Sequence, residues 1–97
     1  MHTWVLTDDI VVYYYHHYQT SGLIYNTLQD ICTRLNIPIN SFNARIQNLI
    51  HVLTNGQHGL SNAAQQTREV AEMFKYSKQN DPNFQNNLQA VVNRILN

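Results

Sequence analysis

One short stretch of the chain concentrates polar side chains that can form hydrogen bonds with nucleic acid. These six residues, called the polar arc below, are Ser41, Asn43, Arg45, Gln47, Asn48 and His51. Asparagine and glutamine can bond adenine through two hydrogen bonds, and arginine can do the same with guanine. Serine or asparagine near a helix N-terminus can bond phosphate. The residue types therefore predict contacts between the polar arc and the major groove of DNA.

The amide content of the whole chain offers a second explanation of the polar arc. The sequence contains 13 asparagines and 9 glutamines, whereas only 12% of its residues are charged. Amides must therefore supply most of the polar surface, as Asn86, Asn87 and Asn93 illustrate near the C-terminal end. An exposed asparagine is weaker evidence for a base contact here than in an average sequence.

A run of tyrosines near the N-terminus is the second candidate site. It comprises Tyr13, Tyr14, Tyr15 and Tyr18. Exposed rings of this kind can stack on bases or cover a protein partner. The alternative is that two of them fill the core and the others are half exposed. Rings that a small domain cannot bury would favour a protein interface, including one between two copies of the chain.

Metal binding and catalysis find little support in the sequence. The histidines that could serve as ligands, apart from His2, are His16, His17, His51 and His58. Zinc requires three or four converging ligands, and carboxylates or thiols near these histidines are scarce. The start of a helix explains Asp8 and Asp9, and close packing explains Cys32. There is no glycine-rich phosphate loop. We expect no catalytic site, no metal and no cofactor.

Residues 28–53, which must position the polar arc, have the pattern of two helices joined by a tight turn. A helix N-cap is expected at Thr27, and Asn36 tolerates the left-handed conformation that ends a helix. Pro38 then stops helical geometry, and Asn40 or Ser41 is expected to cap the second helix. Its expected buried stripe consists of Phe42, Ile46, Leu49, Ile50 and Leu53. The polar arc falls on the opposite side, which is the pattern of a helix-turn-helix.

Three more helices complete an all-α prediction of about five short helices around this central helix-turn-helix. Thr7 is expected to cap the first helix, with Leu6 and Val11 as a hydrophobic staple, although residues 10–15 could also form a strand. The fourth helix is expected to begin at Ser61 or Asn62, and Asp81 with Pro82 to begin the last. The inner face of the fourth helix is predicted from Ala63, Thr67, Val70 and Phe74. Its charged residues, predicted to form local pairs on a solvated face, are Arg68, Glu69, Glu72, Lys75 and Lys78. Residues 54–59 read as a loop, with the tip of a small wing as the alternative.

Length and charge set limits on the function. The 97 residues predict a single domain spanning residues 1–97. Six basic and six acidic residues cancel, which counts against a strong non-specific DNA binder. A single cysteine, no signal peptide and no membrane-length apolar run predict a cytoplasmic protein.

The order of landmarks resembles the small helical domain at the N-terminus of bacterial HNH-type restriction endonucleases and related defence proteins. Four groups of residues carry this resemblance: Trp4, Asp9 and Tyr18; Asn40, Ser41, Phe42, Arg45, Ile46, Asn48 and Leu49; Gly59, Leu60 and Ser61; and Glu69, Val70 and Phe74. The chain departs from the family in its aromatic first helix and in the absence of a nuclease segment. The resemblance implies a helical fold and a role in handling DNA, and it argues against cleavage by this chain.

These observations predict a non-enzymatic DNA-binding helix-turn-helix module, a regulator from a phage, mobile element or defence system. The alternative is a protein-interaction module that binds a defence nuclease complex and regulates or inhibits it. Neutral charge and surplus tyrosines favour the alternative.

Overall fold

The chain forms five α-helices in a computed structural model that describes residues 2–59 and 64–97. They are α1 (Leu6–Tyr18), α2 (Leu28–Leu35), α3 (Ile39–Leu53), α4 (Gln65–Asn80) and α5 (Phe84–Leu96). No strand occurs within the described ranges. The all-α prediction of about five helices is confirmed. No helix in these ranges is both long and apolar enough to cross a membrane.

Helix α1 is the centre of the packing. It packs on α3, α4 and α5, whereas the main contacts of α2 are with α3 and α5. Four consecutive residues of α1 are buried: Val11, Val12, Tyr13 and Tyr14. A helix surrounded on most sides needs apolar groups on most of its faces, which explains why its sequence lacks a clear helical period. Helix α1 therefore forms much of the core, beside the helix-turn-helix of α2 and α3.

The start of α1 differs from the expected one. The helix begins at Leu6, with Val5 at the N-cap position, so Thr7 lies inside the first turn. The Asp8 carboxylate reaches back and accepts a hydrogen bond from the Val5 N–H at 3.1 Å. This bond is the half of a capping box in which the third helical residue reaches back to the N-cap N–H. The predicted cap at Thr7 is wrong, and Leu6 is too exposed for the predicted staple.

Local hydrogen bonds define α2 and the turn that follows it. The Thr27 hydroxyl accepts a hydrogen bond from the Asp30 N–H at 3.1 Å, which confirms the predicted N-cap. Asn36 adopts the left-handed conformation, with φ 58° and ψ 42°. The N–H of Ile37 bonds the Cys32 carbonyl at 2.9 Å, and that of Asn36 bonds the Thr33 carbonyl at 3.2 Å. This pair of bonds is the Schellman motif, the usual ending of a helix in a left-handed residue.

Helix α3 begins earlier than predicted. Its first residue is Ile39, directly after Pro38 at the N-cap position, and no side chain caps it. The Pro38 carbonyl accepts the Phe42 N–H at 3.0 Å, which is the first hydrogen bond of the helix. Asn40 and Ser41 therefore lie inside the first turn, and the predicted caps are wrong.

The predicted beginning of α4 at Ser61 or Asn62, and the inner position of Ala63, lie outside the described residues. Within α4, Thr67 and Val70 are buried and Phe74 is half-buried, as the spacing predicts. After α4, the Asp81 carboxylate accepts a hydrogen bond from the Asn83 N–H at 2.9 Å. The regular helix α5 starts at Phe84, with Asn83 at its N-cap position, so the predicted start with Asp81 as the cap and Pro82 as the first helical residue is wrong.

Candidate functional site

The exposed side of α3 is an uncharged, amide-rich surface. Asn43 and Gln47 of the polar arc are exposed, together with Asn40 and Ala44. The other polar-arc residues except Arg45 are half-buried: Ser41, Asn48 and His51. The spacing of Asn40, Asn43 and Gln47, three and four residues apart, places them on one helical face. The structure thus brings part of the predicted site together on the outside of the molecule.

Arg45 is the member of the polar arc that does not lie on its exposed side. Its side chain points into the domain, and only 8% of the residue is exposed. The Nε and Nη2 atoms donate to the two carboxylate oxygens of Asp9, at 2.8 and 2.7 Å. The guanidinium also lies 4.4 Å from the centre of the Trp4 ring, within the range of a cation–π contact. The predicted placement of Arg45 opposite the buried stripe is wrong.

A buried carboxylate explains this placement. Asp9 is 2% exposed, and an unpaired charge at that depth would be strongly destabilising. The Thr67 hydroxyl adds a contact to Asp9 at 3.4 Å, so the cluster connects α1, α3 and α4. Asp9 is therefore more than a favourable charge at a helix start, which was its predicted role. Asp8 does act at that start, where its carboxylate also lies 2.8 Å from the Nε2 atom of His2.

Three landmarks of the family resemblance meet in this cluster: Trp4, Asp9 and Arg45. Although Asp9 and Arg45 are 36 residues apart in sequence, they form a bidentate pair. Such a pair holds α1 and α3 in one relative orientation because its two parallel hydrogen bonds restrict the geometry. The cluster therefore determines which face of α3 is exposed to solvent.

The exposed residues of α3 itself carry no lysine, arginine or carboxylate. Between Ile31 and Arg68 the sequence has no aspartate or glutamate. With Arg45 paired to Asp9, the exposed part of α3 has hydrogen-bonding groups but no lysine, arginine or carboxylate. Such a surface neither attracts nor repels a polyanion at long range. Its recognition chemistry consists of short-range hydrogen bonds.

The loop after α3 folds back onto that helix. The Thr54 hydroxyl donates to the Ile50 carbonyl at 2.7 Å and accepts the His58 N–H at 3.0 Å. Gly59 has φ 80°, and a Cβ atom there would collide with the carbonyl oxygen of Gln47. No strand is present in residues 54–59, so the loop prediction is confirmed and the wing alternative is wrong. The loop borders the C-terminal half of the exposed face.

The tyrosine run is divided between core and surface. Tyr13 and Tyr14 are buried, whereas Tyr15 and Tyr18 are half-buried, which confirms the prediction that two of the rings fill the core. Burial, together with the nearby Tyr18, raises the pKa of Tyr13 to about 12. Tyr13 and Tyr14 cannot contribute to an interface of this folded domain, because they offer almost no surface to a partner.

A cleft between α1, α3 and α4 is a feature that sequence reasoning missed. It has a volume of about 740 Å³. Its charged lining comes mainly from α4 and consists of Arg68, Glu72, Lys75 and Lys78. The spacing of these residues places them on one side of a helix, but the sequence does not reveal that this side faces a cavity.

Among the described residues, no group of three or more histidine, cysteine or acidic side chains could hold a metal ion.

Comparison of the chain with protein-family models, curated proteins and solved structures finds no match.

Proposed function

We propose that this protein is a non-enzymatic DNA-binding module that places α3 in the major groove. The observation that carries the proposal is the exposed face of α3, on which Asn40, Asn43 and Gln47 project beside the small Ala44. A three-residue turn precedes this helix, as in helix-turn-helix proteins. Amides on such a helix are the side chains that bond adenine through two hydrogen bonds.

The start of α3 supplies a complementary contact. No side chain caps this helix, so its first N–H groups can donate to a phosphate oxygen. Ser41 lies in the same turn and adds a hydroxyl donor. These contacts would fix the orientation of α3, whereas the amides further along would read the bases.

The proposal also includes the family relationship that the sequence landmarks indicate. A chain resembling the N-terminal domain of HNH-type restriction endonucleases would have a DNA-handling role in a phage, a mobile element or a bacterial defence system. The Asp9–Arg45 pair supports this relationship, because it assigns a shared structural purpose to two of the landmarks. In this proposal Arg45 orients α3 and does not contact a base.

One observation favours a second function, binding to a protein. With Arg45 buried in a pair, α3 presents no exposed cation, and the charge of the chain is balanced. An uncharged amide surface also suits a polar protein interface. In this alternative the module would bind a defence nuclease complex through the same face of α3 and regulate it.

Selection of bound duplexes from a random DNA pool tests the proposal. We expect enrichment of an adenine-containing motif and loss of at least about tenfold in affinity when Asn43→Ala and Gln47→Ala are combined, since each base contact contributes about 1–3 kcal/mol. The matched control combines Gln65→Ala with Asn86→Ala, which removes one glutamine and one asparagine from exposed positions on other helices.

Two results would contradict DNA binding. The first is the absence of any enriched motif, and the second is equal affinity of the Asn43/Gln47 double variant and the parent protein. A partner protein captured from a host lysate after nuclease treatment, and lost in that same double variant, would establish the second function instead.

A further inference from the structure

The cleft between α1, α3 and α4 concentrates the free positive charge of the molecule. Of the six lysines and arginines, Arg45 is paired with Asp9, and Arg34 donates to the carbonyl oxygens of Leu96 and Asn97. Three of the remaining four line the cleft, and they are Arg68, Lys75 and Lys78. The fourth is the exposed Arg94 on α5.

These three cations form no local ion pairs among the described residues. The cleft has one carboxylate, Glu72, so three positive charges and one negative charge leave an excess of two. None of the three forms an ion pair with a carboxylate anywhere in residues 2–59 and 64–97. The predicted local pairs on α4 are therefore absent among the described residues. An excess of unpaired cations within one concave site attracts an anion.

Two histidines of α1 extend the same site. His16 and His17 line the cleft, with their ring centres 4.8 Å apart. The Nε2 atom of His17 is buried and has no hydrogen-bond partner among the described residues. A buried polar atom without a partner costs free energy, and a ligand atom could satisfy it.

The charges around His17 favour an anion as that ligand. Burial, then His16 and then Lys78 lower the pKa of His17 to about 4. Tyr13 also faces the cleft from α1, and α4 contributes Lys75 and Glu72. The residues from α3 and its end, Val52, Leu53 and Asn55, carry no titratable group. An anion between the two helices would offset the part of this pKa shift that comes from His16 and Lys78.

The cleft also has an apolar side. Val52 and Leu53 line it from α3 and Ala71 lines it from α4. Leu53 is 37% exposed, an unusual position for a residue of the predicted buried stripe. The volume falls within the range of small-molecule sites, which combine apolar walls with a few polar anchors.

We propose that this cleft binds a phosphate-bearing ligand of nucleotide size. Its phosphate oxygens accept hydrogen bonds from Lys75, Lys78 and Arg68, and its less polar part lies against Val52 and Leu53. Phosphate is the anion that suits this set, because separate lysine and arginine donors can surround its several oxygens. The inference does not depend on DNA binding by α3, since the cleft is lined by Val52 and Leu53 of that helix and not by Asn43 or Gln47.

Amide chemical shifts of the ¹⁵N-labelled protein can test the proposal, with inorganic phosphate, adenosine 5′-monophosphate and adenosine as probes. We expect saturable shifts at the cleft residues with the two phosphate-bearing probes, the monophosphate binding more tightly, and little response to adenosine. The imidazole signals of His17 should titrate at higher pH in the presence of the monophosphate, because a nearby anion stabilises the protonated ring.

Matched charge variants separate a built site from general surface attraction. Lys75→Gln with Lys78→Gln should weaken monophosphate binding about tenfold or more, whereas Arg94→Gln should leave it unchanged. The Asn43/Gln47 double variant should also bind the monophosphate normally, so that failure of either proposal is recognised separately. The amide spectrum of each variant reports whether it remains folded.

Three outcomes would overturn the inference: no saturable shift with either phosphate probe, equal binding of adenosine and its monophosphate, or equal losses in Arg94→Gln and the lysine double variant. A short DNA duplex added as competitor identifies the source of the phosphate. Displacement of the monophosphate from the cleft would assign the site to a nucleic-acid backbone. Retention of the monophosphate would assign it to a small molecule.

Discussion

At the residue scale, the main result is the change in the meaning of Arg45. Its type and position suggest a base contact, yet its Nε and Nη2 atoms donate to a carboxylate that is itself buried. Arginine suits this role because its planar donor fork matches the two oxygens of Asp9. Loss of DNA binding after mutation of Arg45 would therefore reflect disruption of the fold, and it would not show that Arg45 contacts a base.

Breaking the Asp9–Arg45 pair from one side should destabilise the domain strongly. We expect Arg45→Ala to lower the free energy of unfolding by about 3–5 kcal/mol, because it leaves a buried carboxylate without its partner. Chemical denaturation measures this change.

Replacing both members tests the physical cause. Asp9→Leu combined with Arg45→Met should recover most of the lost stability, since apolar groups of similar volume avoid the cost of burying charge. Arg94→Ala, at an exposed position, should change stability by no more than about 0.5 kcal/mol. A double variant as unstable as Arg45→Ala would show that the loss comes from packing or from the Trp4 contact.

At the element scale, the turn between α2 and α3 determines how the proposed recognition helix leaves its neighbour. Asn36 ends α2 in the left-handed conformation, and Pro38 begins α3 without a side-chain cap. These two residues turn the chain within three positions. The backbone preferences of Asn36 and Pro38 thereby help to set the direction in which the amide-rich face of α3 points.

Substitution of Asn36 tests that link. Asn36→Val should lower the free energy of unfolding by about 1–2 kcal/mol, because a β-branched residue is strained in left-handed geometry. Thermal unfolding should register this as a fall of about 4–8 °C in Tm for each kcal/mol. Asn36→Gly should preserve Tm far better.

The matched control is Asn86→Val, the same exchange at an exposed helical position of α5. We expect a change of only a few tenths of a kcal/mol there, since valine and asparagine have similar helix propensities. Equal losses at residues 36 and 86 would indicate that the turn conformation is not what Asn36 contributes.

At the scale of the whole molecule, the charged residues sum to zero but are unevenly distributed. The six cations and six carboxylates balance, but the structure buries one cation, leaves the exposed face of α3 uncharged and places three cations in the α4 cleft. DNA recognition by α3 would accordingly rest on hydrogen bonds, and phosphate attraction would belong to a different surface.

This partition predicts a weak dependence of DNA affinity on salt. Few phosphates would be neutralised by lysine or arginine, so a plot of log affinity against log salt concentration should have a slope of about −2 or shallower. Fluorescence anisotropy with the selected duplex at several salt concentrations measures it. A slope of about −5 or steeper would show that several cations contact the backbone and would favour the cleft as part of the DNA surface.

The sequence alone determined the all-α class, the positions of the helices to within a few residues, and the endings that depend on neighbours in the chain. Thr27, Asn36 and Asp81 act within two to five residues of themselves, so their hydrogen bonds can be read from local patterns. The start of α3 was misplaced because Pro38 occupies the N-cap position without a side-chain hydrogen bond, whereas a polar residue was expected there.

Only the tertiary structure decided the pairing of Asp9 with Arg45, the burial of Tyr13 and Tyr14, and the cleft beside α4. Each depends on helices that are distant in sequence and meet around α1, so no local spacing specifies it. A charged residue on a helix can face solvent, a partner or a cavity with the same sequence pattern. For the six cations of this chain, the packing of the helices around α1 determines which of these environments each side chain has.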